Sequence, residues 1–199
     1  MYALVENNTI TKYFNSPKGF TLGDKQYPSD IFMKWSVEEK EAIGIHEVIF
    51  DDSNKKDEAW YINTNQSYAF ANDTVTATYG IATPKAHADT NATEADGVEL
   101  DPVVVIPGLK TKLIKNLKIT VANELAKTDW YITRNTEKTT AIPSSISTHR
   151  DNVRTKQASI EAQITGASDT AALETLHTYT TDANGVQSRP LGTLPTLEI

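Results

Sequence analysis

An acidic stretch near the middle of the chain most constrains how it can fold. Residues 86–101 contain five acidic side chains, no lysine or arginine and no aromatic residue. Prolines stand near both ends of the wider segment 82–107. Such a composition buries too little apolar surface to offset the entropy lost on ordering. The sequence therefore predicts a solvated acidic linker over 82–107, and an acidic ligand-binding loop is the alternative interpretation.

The part before this segment, residues 1–81, is rich in strand-forming residues. Asn7-Asn8 tolerates positive φ and separates two strand-like runs, which indicates a hairpin, and Asn72-Asp73 marks a later turn. Ser36 and Glu39 have the spacing of a capping box, which predicts a short helix that ends near Gly44. We therefore expect residues 1–81 to form a β-rich head domain.

The part after the segment has helical periodicity. Apolar residues recur every four positions from Leu109 to Leu125, which predicts a helix over about 108–127. Further helices are predicted over about 143–166 and 169–177, so that 108–178 is a helical region. Glycines and prolines in 179–199 predict an extended C-terminal tail. The expected fold class is α+β, with an N-terminal small antiparallel β domain, an acidic linker and a C-terminal helical hairpin with an extended tail.

Composition argues against several classes of function. The 19 Lys and Arg against 26 Asp and Glu give a net charge of −7, which disfavours a nucleic-acid surface. The chain has no cysteine. Its apolar runs, such as Val103–Ile106, are far shorter than the ~20 residues that span a bilayer. The four histidines lie far apart in sequence, and no glycine-rich phosphate loop is present. We therefore expect no enzyme activity, cofactor, metal, nucleic-acid partner or membrane partner.

Two stretches of the chain resemble bacteriophage tail proteins. The opening MYALVEN and the run WSVEEKEAIGIHEV look like the start of many such proteins, and LAKTDWYITR followed by IP and STHRDNVR is similar to tail-fibre assembly and tail-assembly chaperone-like proteins. The resemblance covers residues 1–50 and 120–155, and His149 stands where the family often has Tyr. The matching positions in the second stretch are Asp129, Trp130, Pro143, Arg150 and Arg154.

The same residues have a structural interpretation. Trp130 and Tyr131 are expected to pack where helices meet, and Asp129 to cap a turn and pair with Arg150 or Arg154. The alternative is a docking face, because Trp and Arg are enriched at the centres of interfaces. The predicted partner-binding residues belong to the first helix, to the TDWY and HRDNVR motifs and to the tail: Leu113, Leu117, Val121, Trp130, Tyr131, Arg150, Arg154, Leu191, Leu194 and Leu197.

Taken with the resemblance, these features give two expectations for function. The first is a virion structural protein of the tail, baseplate or fibre-attachment region, made in the bacterial host cytoplasm and acting by protein–protein binding. The second is a tail-fibre assembly chaperone that is absent from the mature particle. The expected partners are other phage tail or fibre proteins and further copies of the chain, in a homo-oligomer or another symmetric assembly.

Overall fold

The computed structural model of the chain describes residues 1–197 and divides into two compact units, Met1–Thr83 and Pro84–Ile199. Over the described residues the fold is α+β, with helices and strands in both units. Up to residue 84 the elements are β1 (Tyr2–Glu6), β2 (Thr9–Phe14), β3 (Phe20–Leu22), β4 (Lys25–Tyr27), α1 (Ile31–Lys34), α2 (Val37–Glu41), β5 (Ile45–Asp51), β6 (Tyr61–Ile62), β7 (Gln66–Ala71), β8 (Thr74–Tyr79) and β9 (Thr83–Pro84). The later elements are β10 (Thr90–Asn91), β11 (Val105–Ile106), α3 (Leu109–Ala126), α4 (Asp129–Lys138), α5 (Ser144–Gly166), α6 (Thr170–His177), β12 (Thr180–Thr181) and β13 (Gln187–Ser188).

A five-stranded mixed sheet forms the frame of the first unit, in the order β2-β1-β5-β8-β7. β1 is antiparallel to β2 and β5, and β7 is antiparallel to β8, whereas β5 and β8 run parallel. β5 divides its length between two neighbours, since Ile45–Glu47 pair with β1 and Val48–Asp51 with β8. The sheet curls, and the rings of Tyr13 on β2 and Tyr68 on β7 lie 4.8 Å apart.

Local turn and cap signals fold as the sequence predicts. Asn7 and Asn8 have φ of 51° and 61° in the β1–β2 hairpin, and Asn72-Asp73 has positive φ in the β7–β8 hairpin. The capping box of α2 is complete, because the Glu39 amide donates to the Ser36 hydroxyl and the Ser36 amide donates to the Glu39 carboxylate. These predictions are confirmed, and they share one property: each depends on residues that are close in sequence.

Three phenylalanine rings lie at the centre of one of the two core clusters of the first unit. Phe14, Phe20 and Phe32 are buried, and their ring centroids lie 5.0–6.1 Å apart. A second cluster, around Val75 and Val48, lies where β5 and β8 pair. The tilted ring geometry is the arrangement that aromatic quadrupoles favour.

The expected antiparallel β domain is wrong for this unit. β5 and β8 are parallel, and α1 and α2 are part of the unit. A parallel pair needs a crossover between its strands, here the chain through β6 and β7. The turn residues Asn72-Asp73 predict only the β7–β8 hairpin. They carry no information on β5, the other strand that pairs with β8.

Residues 89–107, which we call the arm, form a two-stranded ribbon, so the expected acidic linker is wrong. β10 pairs antiparallel with β11, and further along the arm the Glu94 amide donates to the Val98 carbonyl at 2.7 Å. At its root, Asp89 accepts hydrogen bonds from the Thr111 hydroxyl (2.7 Å) and the Gly108 amide (2.8 Å). These bonds lower the pKa of Asp89. Acidic composition excludes an apolar core but not a hydrogen-bonded ladder.

Four helices rather than a helical hairpin follow the arm. α3 packs against α5, and the predicted limits of α3, α5 and α6 agree with the observed ones to within a few residues. The additional helix is α4, which has an acidic residue in its first turn, Asp129, and ends where Thr139 adopts the left-handed conformation. The large apolar residues of α4 are consecutive, Trp130–Ile132, so they do not form the repeat at three and four residues that predicts a helix.

Residues 179–197 of the tail contain no helix, but they fold back in a hairpin rather than extend along their whole length. β12 and β13 form a hairpin whose turn has Gly185 at φ 81°. The Asp182 carboxylate accepts hydrogen bonds from the amides of Asn184 and Val186 at this turn. Beyond it, Leu191 is buried and its amide donates to the Leu176 carbonyl at the end of α6. The chain's own second unit therefore covers Leu191.

Candidate docking site on helix 4

The junction of α3, α4 and α5 is built around the Arg150 side chain. One guanidinium nitrogen, Nη1, donates to the Leu125 carbonyl (2.8 Å), the Thr128 hydroxyl (2.7 Å) and the Asp129 carboxylate (2.8 Å). Arg150 and Thr128 are buried, whereas the Asp129 side chain is largely exposed. Arg150 thus supplies a donor to a carbonyl at the end of α3 and forms an ion pair with Asp129, the first residue of α4.

A second charged group lies beside this junction. Glu124 on α3 accepts a hydrogen bond from Lys127, and its Oε1 lies 3.3 Å from Nε2 of the buried His149. That separation is within ion-pair range, although neither of the two atoms makes a hydrogen bond of good geometry. The hydrogen bond from Lys127 is the main reason why the pKa of Glu124 is lowered, against the opposing effect of burial. The α3–α5 interface therefore contains charged groups as well as apolar ones.

This scaffold presents an aromatic and cationic surface, the Trp130 cluster, made of Trp130, Tyr131 and Arg134. Trp130 is the second residue of α4, and its side chain is 53 % exposed. The Arg134 guanidinium lies 4.6 Å from the centroid of the Trp130 ring and 5.7 Å from that of Tyr131. The two rings lie 4.6 Å apart. A cation–π contact at an exposed site contributes about 0.5–1 kcal/mol, so Arg134 favours this placement of the two rings.

The motif residues separate into two groups in the structure. The prediction that Asp129 pairs with Arg150 or Arg154 is confirmed for Arg150, while Arg154 lies 3.5 Å from Asp151 on the exposed side of α5. Trp130 lies on the surface beside this pair. Sequence reasoning missed Arg134 as a site residue, and its spacing of four residues from Trp130 on one helix face is the signal that identifies it.

The predicted leucine and valine residues lie elsewhere. Leu113 and Leu117 on α3 line a cavity of about 270 Å³ together with Leu191 and Leu194. Val121 is buried. Leu197 lies in a different groove, beside His149. These side chains therefore lie against other residues of their own unit. Their role in partner binding stays a prediction.

The described residues also bear on other kinds of site. Residues 1–197 contain no group of three or more His, Asp or Glu side chains that could hold a metal ion. None of the helices in that range combines the length and the apolarity needed to cross a membrane. Comparison with protein-family models, with curated proteins and with solved structures gives no match for this chain.

Proposed function

We propose that this chain is a non-enzymatic structural protein of a bacteriophage virion, in the tail, baseplate or fibre-attachment region, and that it acts by binding other proteins. The observation that carries the proposal is the Trp130 cluster. It combines an exposed tryptophan, a neighbouring tyrosine and an arginine held by both rings. Trp, Tyr and Arg are the residues that most often dominate the binding energy of protein interfaces.

The support beneath the cluster favours a docking role over an incidental exposed ring. Arg150 makes three hydrogen bonds that fix the start of α4 to α3 and α5. A rigid aromatic anchor loses little conformational entropy when a partner covers it. Two members of the cluster, Trp130 and Tyr131, also belong to the TDWY motif, which carries part of the resemblance to phage tail proteins.

The test uses the phage that encodes the chain. We expect mass spectrometry of gradient-purified particles to detect the protein at a constant ratio to the major tail protein. Trp130→Ala should reduce this ratio strongly, because the loss of a hot-spot residue weakens binding by about 30-fold or more. Tyr179→Ala is the matched control, since Tyr179 is equally exposed and also contacts an arginine, Arg189.

The second candidate function is a tail-fibre assembly chaperone, which the tail-fibre assembly resemblance favours. A chaperone leaves before the particle matures. Two results together would support the chaperone and contradict the structural role. Infectious wild-type particles would lack the protein, and deletion of its gene would prevent fibre attachment. Equal incorporation of Trp130→Ala and of the control would contradict the docking role of the cluster.

A further inference from the structure

Two surfaces of the second unit expose apolar side chains and carry opposite charge. The first is the arm, whose four consecutive apolar residues Val103–Ile106 are each about half exposed. The same arm carries Glu94, Asp96, Glu99 and Asp101, and residues 86–109 contain no lysine or arginine. The arm is therefore an acidic ribbon with an apolar strand that β10 covers along one side only.

The second surface is the face of α3 that points away from α5, which we call the α3 groove. It is a shallow groove on the surface of this one helix, lined by Thr111, Ile114, Lys115, Lys118, Ile119 and Ala122. Within the described residues, neither lysine makes an ion pair, and Ile119 is more than half exposed. This face is therefore both apolar and basic, in a chain that carries a net negative charge.

The apolar strand is shorter than the groove. The groove runs from Thr111 to Ala122, which is about 16 Å along a helix that rises 1.5 Å per residue. From its first residue to its last, the exposed strand Val103–Ile106 is about 10 Å long at a rise of 3.3 Å per residue. The groove therefore has room for the whole apolar strand along its length.

The arm of a given chain does not fill the groove of that chain. Its root is clamped, because Asp89 accepts hydrogen bonds from Gly108 and Thr111 at the start of α3. A Cβ at Gly108 would clash with the Ala88 carbonyl, which shows how closely the two ends of the arm approach each other. With the root held in this way, the strand and the groove both remain exposed.

We propose that the arm of one copy docks in the α3 groove of a second copy, and that this contact assembles the protein into a homo-oligomer. The apolar strand covers the isoleucines, and the carboxylates of the arm lie near Lys115 and Lys118. The contact joins two different surfaces, so it closes by reciprocal exchange of arms or as a ring. This inference goes beyond the tail role, because it concerns only contacts between copies and holds or fails whatever the particle contains.

Sedimentation velocity of the full chain tests the proposal. The arm variant carries Glu94→Lys and Asp101→Lys, which leave Asp96 and Glu99 to make their hydrogen bonds within the arm. The groove variant carries Lys115→Glu and Lys118→Glu. We expect the wild-type chain to form oligomers at micromolar concentration and each variant to need a concentration at least about tenfold higher, because like charges then face each other. An equimolar mixture of the two variants should associate within about threefold of wild type, since each arm then meets a groove of opposite charge.

Two further variants test the apolar part of the contact. Val104→Asp should weaken association by about tenfold or more. Val186→Asp, an equally exposed position in the tail hairpin, should leave it unchanged. Circular dichroism of each variant confirms that it is folded. Any of three results would overturn the proposal. The wild-type chain stays monomeric at about 100 μM, the charge variants associate like wild type, or the mixture fails to restore association. Docking of the arm in its own groove would give a compact monomer with no restoration on mixing.

Discussion

The two units of the chain surround their buried polar side chains differently. In Met1–Thr83 an apolar core packs against a mixed sheet, and the two buried polar side chains, Lys40 and His46, lie against the rings of Tyr2 and Phe70. In the second unit Thr128, His149, Arg150 and Thr170 are buried among the helices together with apolar residues. Apolar burial is non-directional, whereas buried polar groups stabilise a fold only when their hydrogen bonds are made. The first unit should therefore respond to lost volume, and the second also to single polar atoms.

The largest expected effect is from a cavity in the aromatic core. Phe14→Ala removes a buried ring that contacts Phe20 and Phe32. We expect the free energy of unfolding to fall by about 3–5 kcal/mol, the usual cost of Phe→Ala in a core. Hydrogen exchange of the β1 and β2 amides measures the loss. An effect below about 1 kcal/mol would show that the rings do not carry the stability of this unit.

A somewhat smaller effect is expected at the polar junction of the second unit. Arg150→Met keeps an apolar side chain of similar length but leaves the Thr128 hydroxyl and the Leu125 carbonyl without this donor. We expect a loss of about 2–4 kcal/mol in urea unfolding.

Asp129→Asn is the matched control for this junction. The Asp129 side chain is largely exposed, so its ion pair should contribute less than about 1 kcal/mol. Equal losses from Arg150→Met and Asp129→Asn would mean that the ion pair, and not the buried hydrogen bonds, holds α4 in place.

Only part of this arrangement was predictable from the sequence. The Asn7-Asn8 hairpin and the α2 capping box depend on neighbours in sequence, so their residues specify them. The sequence offered Arg150 and Arg154 as partners for Asp129, but the choice between them required the helix orientations. The parallel β5–β8 pair and the arm depend on contacts between distant residues, which local periodicity does not encode.

Acid should destabilise the second unit more than the first, by less than the substitutions above. The pKa of Asp89 is lowered by hydrogen bonds from the Thr111 hydroxyl and the Gly108 amide. The stabilisation it provides is therefore present above the unfolded pKa of about 3.9 and is lost as the pH falls through the lower pKa of the folded state. In the first unit, the Val5 amide donates to the Gly44 carbonyl, which does not titrate.

We expect the protection factor of the Gly108 amide to fall below about pH 4, and that of the Val5 amide to fall less. Hydrogen exchange, corrected for the intrinsic pH dependence, measures both. Asp89→Asn should lower the Gly108 protection at neutral pH and flatten its response to acid. A Gly108 response in that variant as steep as in wild type would assign the effect to another group.

The smallest expected effect concerns the cap of α2. Ser36→Ala removes the hydroxyl that accepts from the Glu39 amide, and the typical cost of such a change is about 1 kcal/mol. Ser16→Ala, in an exposed turn, is the control and should have no measurable effect. Thermal unfolding followed by circular dichroism compares the two. A Ser36→Ala protein as stable as the control would show that apolar packing alone maintains α2.

The parallel neighbour of β5 is β8, which the ribosome makes later, so β5 lacks this neighbour for part of synthesis. A ribosome that adds about 5–20 residues per second needs roughly 1.5–6 s to extend the chain from the end of β5 to the end of β8. During that interval the edge of β5 that β8 later covers has no partner, and an open strand edge is a template for pairing with other chains. Nascent chains on one polysome are close enough to pair in this way. Slower translation across residues 52–73 should therefore increase aggregation of newly made protein without any change in the stability of the finished fold.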